Sequence, residues 1–191
     1  MTAIRDARPI DRGAILAVTL AAYEQYAAAL TPPLWARYRQ NIQATLGDVG
    51  TAAQIVAEEE SGALVGTVLL FPAGTIMPNP GATALEWPEV RLLAVAPAAR
   101  GKGVARRLME ECIQRARAAG SPALTLHTAD IMAVAMRLYE RMGFPHVPEL
   151  DIRPAPGILA KGYRLPLTLP SPQRGEGGNR EPSPPKGERA G

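Results

Sequence analysis

The chain has 191 residues, 47% of them hydrophobic, a net charge of +3, one cysteine and two histidines. That content is ample for one core, a charge this small argues against nucleic acid as a partner, and no apolar run approaches the ~20 residues of a membrane span. A lone cysteine excludes a disulfide framework, and the charged opening Met1-Thr2-Ala3-Ile4-Arg5-Asp6 does not read as a signal peptide, so the expected compartment is a reducing cytoplasm.

Ala3–Arg8 predicts a short first strand, ended by Pro9. Asp11 precedes a helix carrying Ile15, Leu16, Thr19, Leu20 and Tyr23. A second helix follows Thr31-Pro32-Pro33, with Leu34, Trp35, Tyr38, Ile42 and Leu46 as its apolar set; Thr31 suits the N-cap and Pro32 the first turn. Tyr23, Tyr26, Trp35 and Tyr38 form two i, i+3 pairs, which read first as core packing. Gln54–Ala57 and Leu64–Phe71 predict two strands, joined as a hairpin across Glu59-Glu60-Ser61-Gly62. The Pro/Gly-rich stretch from Pro72 to about Trp87 is long for a connection, as lids and disordered loops are.

Val90–Val95 is a short apolar run of strand type. After the turn Arg100-Gly101-Lys102-Gly103, the residues Ala105, Leu108, Met109, Cys112, Ile113 and Ala116 recur at helical spacing, with Arg106, Arg107, Glu110, Glu111 and Arg115 on the other face. Cys112, on the apolar stripe, reads as an inert core thiol. Ala123–His127 is the next strand. Asp130 is the expected N-cap of a helix with Ile131, Val134, Ala135, Leu138 and Met142 on one stripe, stopped by Gly143 as C′ residue before Phe144-Pro145. Two closing strands are expected near His146–Ile152 and Gly157–Leu165. From Thr168 to Gly191 the chain is Pro, Gly, Ser and charge, a composition that buries too little apolar surface to order; a proline-rich docking peptide is the alternative.

A strand feeding a glycine-rich turn that opens an amphipathic helix offers unpaired N–H groups and the positive end of a helix dipole, which suits a pyrophosphate. A P-loop would need Lys-Ser or Lys-Thr after the second glycine, where Val104-Ala105 stands. A dinucleotide fingerprint would need a third glycine where Arg106 stands. The spacing does fit Arg-x-x-Gly-x-Ala, read as Arg100, Gly103 and Ala105, and further on Ala135-x-x-Leu138-Tyr139-x-x-x-Gly143-Phe144. In this order and spacing the two patterns resemble the signatures of the GNAT acetyltransferase superfamily. The chain departs at Met132, where the superfamily often has an asparagine that contacts pantetheine.

The resemblance implies an α/β (α+β) fold over residues 1–167, with 168–191 as a tail. Its mixed central sheet has two parallel strands, Glu89–Val95 and Ala123–Thr128, that splay apart, and helices flank it. It implies acetyl-CoA as cosubstrate. Backbone groups of Leu93, Ala94 and Val95 would meet pantetheine and the acetyl carbonyl, much like an oxyanion hole. The N–H groups of Gly101, Lys102, Gly103, Val104, Ala105 and Arg106 would carry the pyrophosphate, with Arg100 and Lys102 adding charge. Tyr139 is the candidate general acid, since a phenol of pKa ~10 can protonate a thiolate whose conjugate acid is near ~8.5. Glu86 and Glu89 are the candidate bases; His127 is a third choice and also reads as a packed or substrate-contacting residue, while His146 reads as structural. Two histidines and one cysteine without ligand spacing point to no metal. The implied reaction is N-acetylation of a small-molecule or peptide amine, the other reading being an acyl-CoA-binding module without turnover. In the superfamily the first helices wall the acceptor site and the closing strands often mediate homodimers; the signatures do not specify the acceptor.

Overall fold

Among the described residues, the period-2 and period-3.6 segments form one seven-stranded sheet with four α-helices. The structure, a computed structural model, describes residues 2–76, 84–155 and 158–167. The expected disordered tail and the middle of the Pro72–Trp87 loop lie outside those residues. The strands are β1 (Thr2–Asp6), β2 (Ala53–Glu59), β3 (Leu64–Phe71), β4 (Glu89–Val95), β5 (Ala123–Ala129), β6 (Ile152–Ala155) and β7 (Ile158–Pro166). The helices are α1 (Arg12–Tyr23), α2 (Pro32–Gly47), α3 (Val104–Ala118) and α4 (Ala133–Arg141). Sheet order is β1-β2-β3-β4-β5-β7-β6, antiparallel throughout except for the parallel β4–β5 pair. This is the mixed α/β sheet with flanking helices that the motifs implied.

Both faces of the sheet are covered, which is why β3 reads as an unbroken apolar run. Val68 and Leu70 face Leu108, Met109, Cys112 and Ile113 of α3. Leu69 and Phe71, alternating with them, face Ile15, Tyr23 and Ile42 of α1 and α2. Each fully buried Leu, Ile or Met side chain contributes roughly 1.5–3 kcal/mol, so the two stripes dominate the fold's stability. Gly66 permits the close approach of α3 to β3: a Cβ there would lie 2.9 Å from Val104 Cγ1 and 3.0 Å from Leu108 Cδ1.

Three expectations are corrected. Asp130 does not cap α4; it begins a 3-10 turn, Asp130–Met132, and its carboxylate pairs with Lys161 Nζ at 2.6 Å. Ile131 and Val134 are 36% and 68% exposed. The nine-residue α4 meets the core through Ala135 and Tyr139, with Met142 just past its end, so the N-terminal part of the expected stripe faces outward. The first closing strand is shorter and later than His146–Ile152. His146 makes an isolated bridge to Tyr163, and Pro148–Leu150 forms a 3-10 turn, because proline at 148 has no N–H to give a ladder. Thr31 does precede α2, yet its side chain makes no capping bond.

Candidate active site

The site begins where two strands part. Strands β4 and β5 pair only at Glu89–Thr125 and Val90–Leu126. Two residues on, Leu92 adopts φ 50°, a left-handed conformation uncommon for a non-glycine residue. The β3–β4 register shifts beside it, between Thr67 and Leu69. This is a bulge, and it turns the rest of β4 away from β5. Ala94 and Val95 keep β3 partners, Thr67 and Gly66, while the β5 side of Leu93–Val95 faces a notch. The Tyr23 hydroxyl donates to the Leu93 carbonyl at 3.4 Å across its rim.

After β4 the chain turns through Pro97–Ala99 into the glycine loop. Gly101 and Gly103 take φ 76° and 77°, and no atom of the described residues lies within 4 Å of a Cβ added at either. Arg107 N donates to Gly103 O at 3.1 Å and closes the first turn of α3. The N–H groups before it, through Val104, Ala105 and Arg106, lie at the open end of the helix. The loop therefore presents main-chain donors at a cradle that a side chain would fill, and an anionic diphosphate fits that donor set. Lys102 is exposed beside it. The Arg100 guanidinium is turned away from the loop, donating to Ala22 O at 3.0 Å and Gln25 Oε1 at 3.2 Å, so it ties the loop to the end of α1. Arg106 bonds Glu110 at 2.7 Å, and its contribution to the cradle is its N–H.

Tyr139 lies in α4, 6% exposed, its ring 6.2 Å from Phe144 and 6.4 Å from Tyr163. Its hydroxyl makes no hydrogen bond to a described residue. Burial first, then the nearby Tyr26 and Tyr38 phenols and the Cys112 thiol, raise its pKa well above the usual phenol value. The proton therefore stays on the oxygen. Cys112, fully buried, is pushed up to about 12 by the same desolvation and is inert.

Glu89 is 4% exposed at the start of β4. Its Oε1 is 3.2 Å from Arg91 Nε and its Oε2 3.3 Å from His127 Nδ1. His127 Nε2 donates to Leu150 O at 2.8 Å. Both ring nitrogens thus face acceptors, and a neutral imidazole has only one N–H to give. The charged ring would satisfy both, and the net shift of its pKa is upward. Glu86, the other candidate base, does not join this group. It is exposed and lines a cavity of about 510 Å³ with Arg115, Ala116, Ala119 and Pro122. Those residues surround the C-terminal end of α3, roughly 20 Å of helix away from the glycine loop.

The aromatic side chains of α1, α2 and the 3-10 helix Glu24–Ala29 between them pack on the core cluster of Ile15, Ile42 and Phe71, as expected. Tyr23 is buried, but Tyr26, Trp35 and Tyr38 are only half-buried. Tyr23 lies 5.8 Å from Tyr26 and 5.9 Å from Tyr38, ring to ring. Burial and then the neighbouring phenols raise Tyr23 well above its ordinary value. Sequence reasoning missed Arg91, which lies beside Glu89; a single charge inside the apolar run Val90–Val95 was the available signal.

With this geometry in hand, a sequence model of the acetyltransferase (GNAT) family matches residues 19–144. Over 76 residues the chain is 40% identical to a protein named an IAA acetyltransferase from Azospirillum brasilense, covering 38% of this chain and 49% of that one. Over 105 residues it is 30% identical to an uncharacterized N-acetyltransferase of Schizosaccharomyces pombe, covering 55% and 59%. The chain thus spans about half the length of the curated relatives it matches. A GNAT-family acetyltransferase from Brucella melitensis, crystallised with acetyl-CoA, shares the fold at a TM-score of 0.60 and 24% identity, over 91% of this chain and 92% of that one.

Proposed function

This chain belongs to the acetyltransferase (GNAT) family, and from that premise we propose that it transfers the acetyl group of acetyl-CoA to a primary amine of a small molecule or peptide. The observation that carries this reading is the parting of β4 from β5 after Val90 and Leu126, directly upstream of the glycine loop. A thioester arm fits between the strands while its diphosphate meets the N–H groups at residues 101–106. The acetyl-CoA held by the Brucella melitensis protein of the same fold supports that choice of donor.

In the balanced reaction the amine nitrogen bonds the acetyl carbon and the carbon–sulfur bond breaks with its electron pair on sulfur. One proton leaves nitrogen and one reaches sulfur. Backbone N–H groups on the open side of Leu93–Val95 face the carbonyl oxygen where negative charge develops. Glu89 takes the amine proton, directly or through water: Arg91 and His127 each occupy one side of an oxygen, and each carboxylate oxygen has a second lone pair. Tyr139, kept protonated by burial, donates to the sulfur as the bond breaks. Because its pKa is raised, the hydrogen bond to the developing thiolate matters more than early transfer of the proton.

Purified protein with acetyl-CoA and a panel of amines tests the reading by free-thiol release. Thiol release that depends on an amine is the expected result. Calorimetric saturation by acetyl-CoA with no release from any acceptor would favour the non-catalytic binding module instead.

A further inference from the structure

Resting on the transferase reading above, we propose that the acceptor amine also carries a carboxylate, and that Arg164 is the residue that selects it. Glu89 pairs with Thr125, and Thr125 pairs with Arg164. The three form one row across β4, β5 and β7, on one face of the sheet. His127 lies two residues along β5 on that same face. Their register neighbours Val90, Leu126 and Tyr163 point the opposite way, into the core beneath α3. On the row's own side α1 packs over β3 and β4. The Pro148–Leu150 turn, bonded to His127 through Leu150 O, flanks one edge.

Glu89 is engaged by Arg91 and by the His127 ring. Arg164 pairs with no carboxylate among the described residues. Its guanidinium carbon lies 5.0 Å from the centroid of the Trp87 ring. Stacking on an indole fixes the plane of the guanidinium, so that less side-chain freedom is lost when its fork meets a planar anion. A carboxylate answers that fork with two parallel hydrogen bonds. An acceptor bearing both groups would lay its carboxylate on Arg164 and its amine toward Glu89 in the same row. A simple amine would leave the Arg164 fork without an anion.

The test uses matched acceptors: free α- and ω-amino acids, the amide of each, and short peptides starting with Asp or Glu. For the wild-type protein KM should be at least tenfold lower for the carboxylated member of a pair. The peptide arm separates a free amino acid from an acidic peptide as the carboxylate's source. Arg164→Gln should erase the difference by raising KM on the carboxylated members, and Arg164→Lys should restore it in part. Trp87→Ala, which loosens the guanidinium without removing its charge, should narrow the preference. Equal use of acid and amide by the wild type, or a preference that survives Arg164→Gln in a folded variant, would overturn the proposal while the transferase reading stands. Acetyl-CoA binding without turnover of any compound would overturn both.

Discussion

The Nδ1 atom of His127 stands 3.3 Å from Glu89 Oε2 while its Nε2 stands 2.8 Å from the Leu150 carbonyl, so the ring is bracketed by two acceptors. Burial pulls its pKa down, and Arg91 pulls the same way. The hydrogen bond and charge of Glu89, aided by the Leu150 carbonyl, outweigh them and the net shift is upward. A raised folded pKa means the contribution to stability is complete below the unfolded value of ~6.5 and is lost as pH rises through the folded one. Between about pH 6 and pH 9 the wild-type thermal midpoint should therefore fall relative to that of His127→Gln. Glu89→Gln should flatten the difference. Parallel melting curves for wild type and His127→Gln across that range would remove the imidazolium from the account.

Tyr139 tests the chemistry separately from the fold. Its ring packs on Phe144 and Tyr163, so Tyr139→Phe keeps the packing and removes one oxygen. Loss of a positioned proton donor typically lowers turnover by about 10²-fold or more. The variant should show that fall in kcat, with acetyl-CoA Kd and thermal midpoint close to wild type. Turnover within about twofold of wild type would show that the sulfur gets its proton elsewhere.

What could be read along the chain was whatever short-range patterns encode. The stripe Leu108, Met109, Cys112, Ile113 and Ala116 lies in α3 and is buried as expected, because one strongly amphipathic helix against one sheet has a single way to face. The glycines at 101 and 103 announced left-handed backbone, and both adopt it. Leu92 adopts it too, yet a leucine in an apolar run carries no such mark, so the bulge that opens the notch was invisible locally. The N-cap at Asp130 failed because the 3-10 turn Asp130–Met132 stands between it and α4, and its carboxylate pairs with Lys161 instead. The grouping of Glu89, Arg91, His127 and Arg164 depends on cross-strand register, which pairs residues far apart in the chain and has no local signature.

The glycine loop can be separated from the rest of the fold. No atom of the described residues lies within 4 Å of a Cβ built at Gly103, whose φ is 77°. Gly103→Val should thus cost mainly the strain of a β-branched residue in left-handed backbone, about 1–2 kcal/mol. Its side chain would nevertheless project where the diphosphate is expected. Calorimetry should find acetyl-CoA binding weakened at least tenfold in a protein that still melts cooperatively. Unchanged affinity would place the diphosphate away from this loop.

Gly162 links packing to the charge of His127. A Cβ at this position would lie 2.3 Å from Leu150 Cβ and 2.9 Å from Leu150 O, the same carbonyl that accepts from His127. Gly162 pairs with His127 across β5 and β7, so any relief must come from moving the Pro148–Leu150 turn outward. Gly162→Ala should destabilise by about 1–3 kcal/mol, as overpacking does. As the carbonyl retreats, the ring loses one of the acceptors that favour its charged form while Glu89 keeps the other. The His127 pKa, followed by NMR through the ring protons, should therefore fall from its wild-type value without reaching that of Glu89→Gln. A destabilised variant with an unmoved histidine titration would show that Leu150 packs on Gly162 without governing the proton on the ring.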